Sequence, residues 1–323
     1  MLTTRFDSLE TQSTMKKLTL ATIVVTFNRA QLLEELLVSL MRQTRAIDVI
    51  YVVDNCSTDG TSELMLSLVK QYHQIKYIKQ SENLGGSGGF YRGVKQAYED
   101  GYDWLWLLDD DLEALPNAIE MLLKYTSLSG CIHGRRQHHD RSNYFWQVRF
   151  FESIGYWLPV LGNIFKRSPI YQINTGCFEG MFISRETIQK IGYPDPRFFI
   201  TWDDAIYGWL ASKVTSVLYI NEFVLIRKRV LKSVNLGFRD LSSASDLYRY
   251  YTIKNRLIVK EYLISKDVYS PIGFNIGSLL IFAKELIRIA LVDRSLVSLT
   301  VLFRGYDDQL AFDVIDKEVN NSL

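Results

Sequence analysis

The sequence predicts an α/β protein: a mixed, mainly parallel sheet flanked by helices, followed by a mostly helical C-terminal region. Three observations carry this prediction. Strand and helix patterns alternate from residue 18 to residue 108, as they do when parallel strands are joined by covering helices. The strand runs are apolar along their whole length, which suits strands buried on both faces. From Ser245 onward the helical period continues with no strand signal between.

The elements follow in order. Residues 18–26 (LTLATIVVT) are rich in β-branched side chains and read as the first strand. Residues 29–43 carry Leu32, Leu33, Leu36, Leu37 and Leu40 at helical spacing. A second strand at 47–53 closes on Asp54-Asn55, and Thr58-Asp59-Gly60 turns the chain into a helix over 62–72. Residues 75–79 form a third strand. A glycine-rich turn follows, then a helix over 89–100 and a fourth strand over 102–108. Right-handed crossovers put the loops after these strands along one edge, where such folds bind ligands. Residues 134–149 (GRRQHHDRSNYFWQVR) show no period and read as a loop without regular structure. Residues 173–184 suit one or two strands around Gly176 and Gly180, 205–213 a helix and 214–226 strands.

Whole-chain properties narrow the function. With 37 basic against 36 acidic residues the 323-residue chain has a net charge of +1, which argues against nucleic acid as a partner. Cys56, Cys131 and Cys177 are widely spaced without a metal-binding pattern, as expected of free thiols in the cytoplasm. Residues 1–15 read as a polar tail and not a secretory signal. No uncharged apolar run reaches the roughly 20 residues of a spanning helix. The nearest, 272–291, contains Lys284, Glu285 and Arg288, so it is amphipathic: a packing helix or one lying on a membrane surface.

The chemistry-bearing residues follow the strands. Asp109, Asp110 and Asp111 stand directly behind the apolar run at 104–108. Three carboxylates against a low-dielectric core are costly unless a cation meets them, and oxygen ligands suit Mg²⁺ or Mn²⁺. A solvated turn capping a helix is the plainer alternative. The first strand ends in Thr26-Phe27-Asn28-Arg29 and the second in Asp54. Phe27 offers a stacking face for a base, and Asp54 an acceptor for an imide N–H. Asn28 and Ser57 also suit helix caps. In the third loop, Asn83-Leu84-Gly85-Gly86-Ser87-Gly88-Gly89-Phe90, the glycines let backbone N–H groups approach a ligand. The helix that follows favours an anion at its start, with Arg92 one turn in to reach a phosphate. The loop follows the third strand, so it is not a Rossmann fingerprint.

Taken together, VTFNR, VVDNCSTDG, NLGGSGGF and LLDDD resemble the nucleotide-sugar half of family 2 glycosyltransferases with the GT-A fold. Residues 198–208 (FFITWDDAIYG) resemble the WDDAEYG segment of bacterial galactofuranosyltransferases, and 250–256 (YYTIKNR) their YY-x-x-RN stretch, with Lys254 in place of Arg. The resemblance implies an inverting transfer of a sugar, galactofuranose from UDP-galactofuranose, onto a glycan or lipid-linked glycan acceptor. It makes Asp109 and Asp111 the residues on the Mn²⁺ or Mg²⁺, places Asp110 on the sugar or ribose, and adds Trp202 to the donor site. Asp204, or its neighbour Asp203, becomes the general base. An inverting displacement needs one carboxylate on the attacking face and charge neutralisation on the leaving diphosphate. The implied location is the cytoplasm, with peripheral contact on the inner membrane through Arg227-Lys228-Arg229, Lys232 and the amphipathic 272–291 segment.

Two departures stand out. The resemblance implies a histidine metal ligand downstream of Trp-Asp-Asp, yet His73, His133, His138 and His139 all lie upstream. Water or Glu222 then completes the coordination, or Arg227 or Lys228 partly replaces the metal, or activity is lost. Ile206 also stands where the motif has Glu. Rival readings are a rhamnosyltransferase using a deoxythymidine-linked donor, a weakly active sugar-nucleotide-binding protein, and a Mg²⁺-dependent phosphatase of the haloacid dehalogenase type. The expected organisation is a GT-A unit over 16–235, divided into a nucleotide-sugar half (16–115) and an acceptor and base half (116–235), then a helical region over 236–323.

Overall fold

Continuous apolar runs build the first half of the central sheet. In chain order these elements are β1 (Leu20–Thr26), α1 (Ala30–Met41), β2 (Val49–Asp54), α2 (Thr61–Gln71), β3 (Ile75–Lys79), α3 (Gly85–Glu99) and β4 (Trp104–Asp109). The computed structural model describes residues 18–230, 232–235 and 240–320, so the 1–15 tail lies outside the described residues. β1 pairs in parallel with β2 and β4, and β2 with β3. Successive β1 side chains alternate between two cores. Leu20 and Val24 pack with Leu33, Leu36 and Leu37 of α1, whereas Ala21, Ile23 and Val25 pack with Phe90 and Val94 of α3.

α3 begins at Gly85, inside the glycine-rich segment expected to be a turn. Glycine is a poor helix former, and here close packing overrides that cost. A Cβ on Gly89 would lie 2.5 Å from a Val25 methyl, and one on Gly93 2.4 Å from an Ile23 methyl. These glycines therefore bring α3 down onto β1.

The second half continues with β5 (Leu112–Ala114), α4 (Ala118–Leu123), β6 (Cys131–Gln137), β7 (Val148–Phe151), β8 (Tyr156–Pro159), β9 (Ile170–Ile173), β10 (Met181–Ser184), α5 (Arg185–Ile191), α6 (Asp203–Ser212) and β11 (Val217–Arg227). The sheet order is β3-β2-β1-β4-β10-β6-β11-β5, with β9 beside β11. β10 runs antiparallel between β4 and β6, and β6 is parallel to β11. Residues 134–149 are thus not a plain loop: β6 carries 134–137 and β7 starts at Val148. Their polar composition concealed β6 because Arg136 is buried in the sheet against a carboxylate, Glu179, that arrives from the loop before β10.

A short hairpin of β12 (Ser233–Asn235) and β13 (Asp240–Ser242) leads into α7 (Asp246–Lys254), α8 (Arg256–Ser265), α9 (Pro271–Arg288) and α10 (Leu296–Asn320). A third core joins these helices to the second half of the sheet unit. Val259, Leu263, Phe274 and Ile281 pack with Phe150 and Tyr156 of the β7–β8 hairpin and with Phe198, Trp202, Ile206 and Trp209 around α6. Among the described residues no helix is long and apolar enough to cross a membrane.

Candidate active site

The carboxyl ends of β1, β2 and β4 meet at one edge, where Val25 pairs with Asp109 and Thr26 with Asp54. The three consecutive aspartates divide here. Asp110 turns inward and is 2% exposed. Its Oδ2 accepts from the Thr26 hydroxyl at 2.7 Å and the Phe27 N–H at 3.4 Å, and its Oδ1 from Arg29 Nη1 at 2.7 Å. Asp110 and Thr26 therefore fasten the β1–α1 loop. Asp109 and Asp111 line the cleft. Burial pushes both carboxyls above their ordinary range, and the negative charge of Glu179 adds to this. Arg29 offsets it in part, reaching Asp111 at 3.3 Å, and Arg229 stands 3.7 Å from the same carboxylate.

Two carboxylates that resist ionisation suit a hard dication. Among the described residues no third His, Cys, Asp or Glu completes a cluster around them. The donor set still fits Mg²⁺ or Mn²⁺, because such ions take one or two carboxylates and fill the remaining positions with water and substrate phosphate. Glu222 is excluded as a further ligand: it lies five residues before Arg227 on β11, roughly 16 Å at strand rise.

The flanking loops are knitted together. Asn28, at φ +54°, donates its N–H to Ser57 Oγ at 2.9 Å, and its side-chain oxygen accepts from the Thr58 N–H at 2.7 Å. Neither Asn28 nor Ser57 caps a helix; Asp59 instead accepts from the Ala30 N–H at the start of α1. Asp54 is fully buried, held by the Tyr77 hydroxyl at 2.6 Å and the Ser57 N–H at 2.8 Å. With a hydrogen bond on each oxygen it shapes its loop. Phe27 is 41% exposed at the cleft edge, free to stack. Asn83 is exposed and accepts from the Gly85 N–H at 2.9 Å. Gly88 and Gly89 are buried, with Leu84 and Val25 filling the space a Cβ would need, so both positions are closely packed. Gly86 has open space beside it, and Arg92 is half-buried about two turns into α3.

The second acidic site opens α6. Asp203 is 7% exposed and accepts from Ser87 Oγ at 2.8 Å, which ties α6 to the start of α3. Burial raises its pKa to about 6. Asp204, less buried, accepts from the Ala205 N–H at 2.6 Å; burial and the charge of Asp203 raise its pKa to about 7. Trp202 is 3% exposed, packs in the third core and donates its indole N–H to the Thr252 carbonyl at 2.9 Å. It anchors the loop.

The comparisons with known proteins follow this geometry. A model of glycosyl transferase family 2 matches residues 22–192, more than half of the chain. The chain belongs to glycosyl transferase family 2. It is 27% identical to galactofuranosyltransferase GlfT1 of Mycolicibacterium smegmatis over 206 residues, 56% of this chain and 61% of that protein. Identity to GlfT1 of Mycobacterium tuberculosis is 41% over 91 residues, 28% of this chain and 29% of that protein. A GalNAc(5)-diNAcBac-PP-undecaprenol beta-1,3-glucosyltransferase of Campylobacter jejuni is 35% identical over 106 residues, 32% of this chain and 33% of that protein. The chain thus spans about three-fifths or less of the curated relatives it matches. Among solved structures, S. aureus TarS superposes with a TM-score of 0.53 at 15% identity, over 75% of this chain and 39% of that one. GalNAc-T7 with UDP, GalNAc and Mn²⁺ gives 0.54 at 15%, over 76% and 50%. At such identity the likeness is one of fold, and the fold is GT-A. Membership in the family sets aside the phosphatase reading.

Two groups in this family 2 chain escaped the sequence reading. The first is Glu179, which Arg136 grips at 2.8 Å and Arg227 at 2.9 Å beside the aspartate corner. Burial alone would raise its pKa, but Arg227 and Arg136 hold it below the ordinary range. The only sequence hint was its place between Gly176 and Gly180. The second is the clamp on the loop before Asp203. Phe199, Thr201 and Trp202 all have positive φ, at 60°, 64° and 73°. Asn255, 1% exposed, donates to the carbonyls of Phe198 at 2.7 Å, Ile200 at 3.0 Å and Thr201 at 3.3 Å. The YYTIKNR segment, noted for its resemblance, thereby holds the strained loop. Behind it, Gly208 of α6 touches the backbone of Gly176, where a Cβ would come within 2.0 Å of a nitrogen.

Proposed function

We propose that this family 2 chain is an inverting glycosyltransferase that moves galactofuranose from UDP-galactofuranose onto a hydroxyl of a lipid-linked bacterial glycan. The supporting observation is the separation of two acidic sites: Asp109 and Asp111 at the end of β4, and Asp204, with a pKa of about 7, at the start of α6. A base poised near neutrality suits deprotonation of an acceptor hydroxyl. Asp204 takes that proton as the acceptor oxygen bonds to the anomeric carbon. On the opposite face the bond from that carbon to the diphosphate oxygen breaks, and its electron pair leaves with the diphosphate. Asp203, tied to Ser87, fixes the position of Asp204 relative to α3. Asp109 and Asp111 would hold a Mg²⁺ or Mn²⁺, whose charge offsets that of the leaving group. Phe27 offers the stacking face for the base, and Asn28, Asn83 and Arg92 are further donor-binding candidates. On this reading residues 16–115 hold the donor, 116–235 the acceptor and base, and 236–323 the supporting helices.

The similarity to two GlfT1 proteins supports galactofuranose over rhamnose. The undecaprenol-linked acceptor in the name of the Campylobacter jejuni relative supports a lipid-linked acceptor on the inner membrane. The test is a donor screen. The protein is incubated with UDP-galactofuranose or dTDP-rhamnose, Mn²⁺ or Mg²⁺ and a prenyl-diphosphate glycan, and products are read by mass spectrometry and NMR. We expect an inverted galactofuranoside that disappears with a chelator. A rhamnoside would move the donor assignment. Sugar-nucleotide binding without any transfer would favour the weakly active binding protein.

A further inference from the structure

β11 ends in Arg227, opposite Leu112 on β5, and the next residue's N–H donates to the Asp111 carbonyl at 2.9 Å. This stretch is where the resemblance implies a histidine metal ligand, and the structure puts a guanidinium there. An arginine has no lone pair for a metal, so it cannot replace that histidine as a ligand. Its planar fork matches phosphate oxygens instead.

Arg227 is held ready for that task. Its Nη2 donates to Glu179 Oε1 at 3.0 Å, and its Nε lies 2.9 Å from Oε2 in the same ion pair. The guanidinium also stacks over the Tyr144 ring at 4.3 Å. Arg136, 2% exposed, grips Glu179 from behind at 2.8 Å, so the carboxylate that fixes the plane of Arg227 is itself fixed. The Arg227 side chain keeps 19% exposure. Among the described residues its other three N–H groups have no hydrogen-bond acceptor. The corner holds four carboxylates (Asp109, Asp110, Asp111 and Glu179) against four guanidiniums (Arg29, Arg136, Arg227 and Arg229). It is therefore balanced before any anion arrives, and Arg29 and Arg229 are already turned to aspartates.

We infer that Arg227 is a donor-binding residue that meets the diphosphate of a nucleoside-diphosphate ligand through its free edge, with Glu179 as the residue that positions it. This rests on the nucleotide-sugar reading above. Arg227 contributes charge and direction where a histidine would contribute coordination, so Asp109 and Asp111 carry the metal as a pair.

The probes are UDP, UMP and uridine, titrated calorimetrically in Mg²⁺ against the full chain and the variants R227Q and R227K. R227Q leaves the Glu179–Arg136 pair intact, and an unchanged melting temperature verifies the fold. R227K keeps a charge on Glu179 and loses the fork, so it decides the matter should R227Q fold poorly. We expect UDP to bind R227Q about tenfold more weakly, the scale of a charge-assisted contact, with UMP and uridine changed by less than about twofold. R227K should fall between R227Q and the unmodified chain. Equal weakening of all three probes, or UDP affinity unchanged in both variants, would overturn the assignment. An unmodified chain that binds none of the probes, nor dTDP, defeats the nucleotide reading itself, and no variant is needed to see it.

Discussion

At the scale of single residues, the proposed mechanism rests on Asp204. Its pKa of about 7 comes from burial and from the charge on Asp203. A general base works in its ionised form, so kcat should rise with pH through a limb near 7 and level off above it. Asp204→Asn should lower kcat by at least about a hundredfold while leaving UDP affinity nearly unchanged, because the base acts on the acceptor. Stability gives a second readout with a fixed sign. The folded pKa lies above the unfolded value near 3.8, so the native state holds the extra proton between the two. That stabilisation is complete below about 4 and is lost as pH rises through about 7. The melting temperature of Asp204→Asn should therefore gain on the unmodified protein between pH 5 and pH 8. A pH-independent difference would contradict the burial argument. The sequence pointed to this residue because Trp-Asp-Asp follows a recognisable pattern. It could not show which carboxylates turn inward. Asp54 and Asp110 look like ligands in the sequence, and only the Tyr77, Ser57, Thr26 and Arg29 hydrogen bonds reveal that they tie loops.

Elements explain how the base is held. Residues with positive φ outside glycine cost of order 1–3 kcal/mol each, and Phe199, Thr201 and Trp202 stand in near succession before α6. Such a loop persists only when its surroundings determine it. Asn255 supplies three of those constraints from the α7–α8 junction, the Trp202 indole binds Thr252 of α7, and Phe199 stacks on Tyr251 at 5.0 Å. Asn255→Ala should cost about 1–3 kcal/mol of stability from lost buried hydrogen bonds. It should also lower kcat well beyond any change in UDP affinity, because the loop carries the base and not the nucleotide. A variant with normal kcat would show that α6 holds Asp204 without the clamp. The parallel half of the sheet was readable because each strand is buried on both faces and each covering helix shows its period. The other half was readable only in part: β10, α6 and β11 fall where strands and a helix were expected, but β7, β8 and β9 are only four residues each, and β9 pairs with β11 from more than forty residues away. Burial of Arg136 in β6 depends on Glu179, more than forty residues away in sequence.

At the scale of the whole molecule, the question is which surface would meet the proposed lipid-linked acceptor, since among the described residues no helix is long and apolar enough to cross a membrane. The charges of the basic loop suggested by the sequence are partly engaged within the protein. Arg227 pairs with Glu179, Lys228 with Glu35 and Glu113 at 3.1 and 3.3 Å, and Arg229 lies near Asp111. α9 presents the opposite character. It buries Phe274, Gly277, Ile281, Glu285 and Arg288, while Ile272, Ile276, Leu279, Leu280, Leu286 and Ile287 face outward. Ile272 is 78% exposed and Leu279 67%, and Leu296 at the start of α10 reaches 85%. None of the exposed α9 residues is charged. Such a stripe, about 27 Å long at helical rise, suits insertion into the boundary of a bilayer. Attachment driven by apolar burial depends little on salt or lipid charge, unlike attachment by a basic patch. We therefore expect the protein to float with zwitterionic phosphatidylcholine vesicles as well as with anionic ones, and to stay bound at high salt. L279E/L280E should release it while leaving transfer to a water-soluble acceptor unchanged. Binding restricted to anionic vesicles and removed by salt would shift the contact to Lys232 and its surroundings. A concentration-dependent dimer in light scattering, lost in the same variant, would instead make the α9 face a contact between copies of the chain.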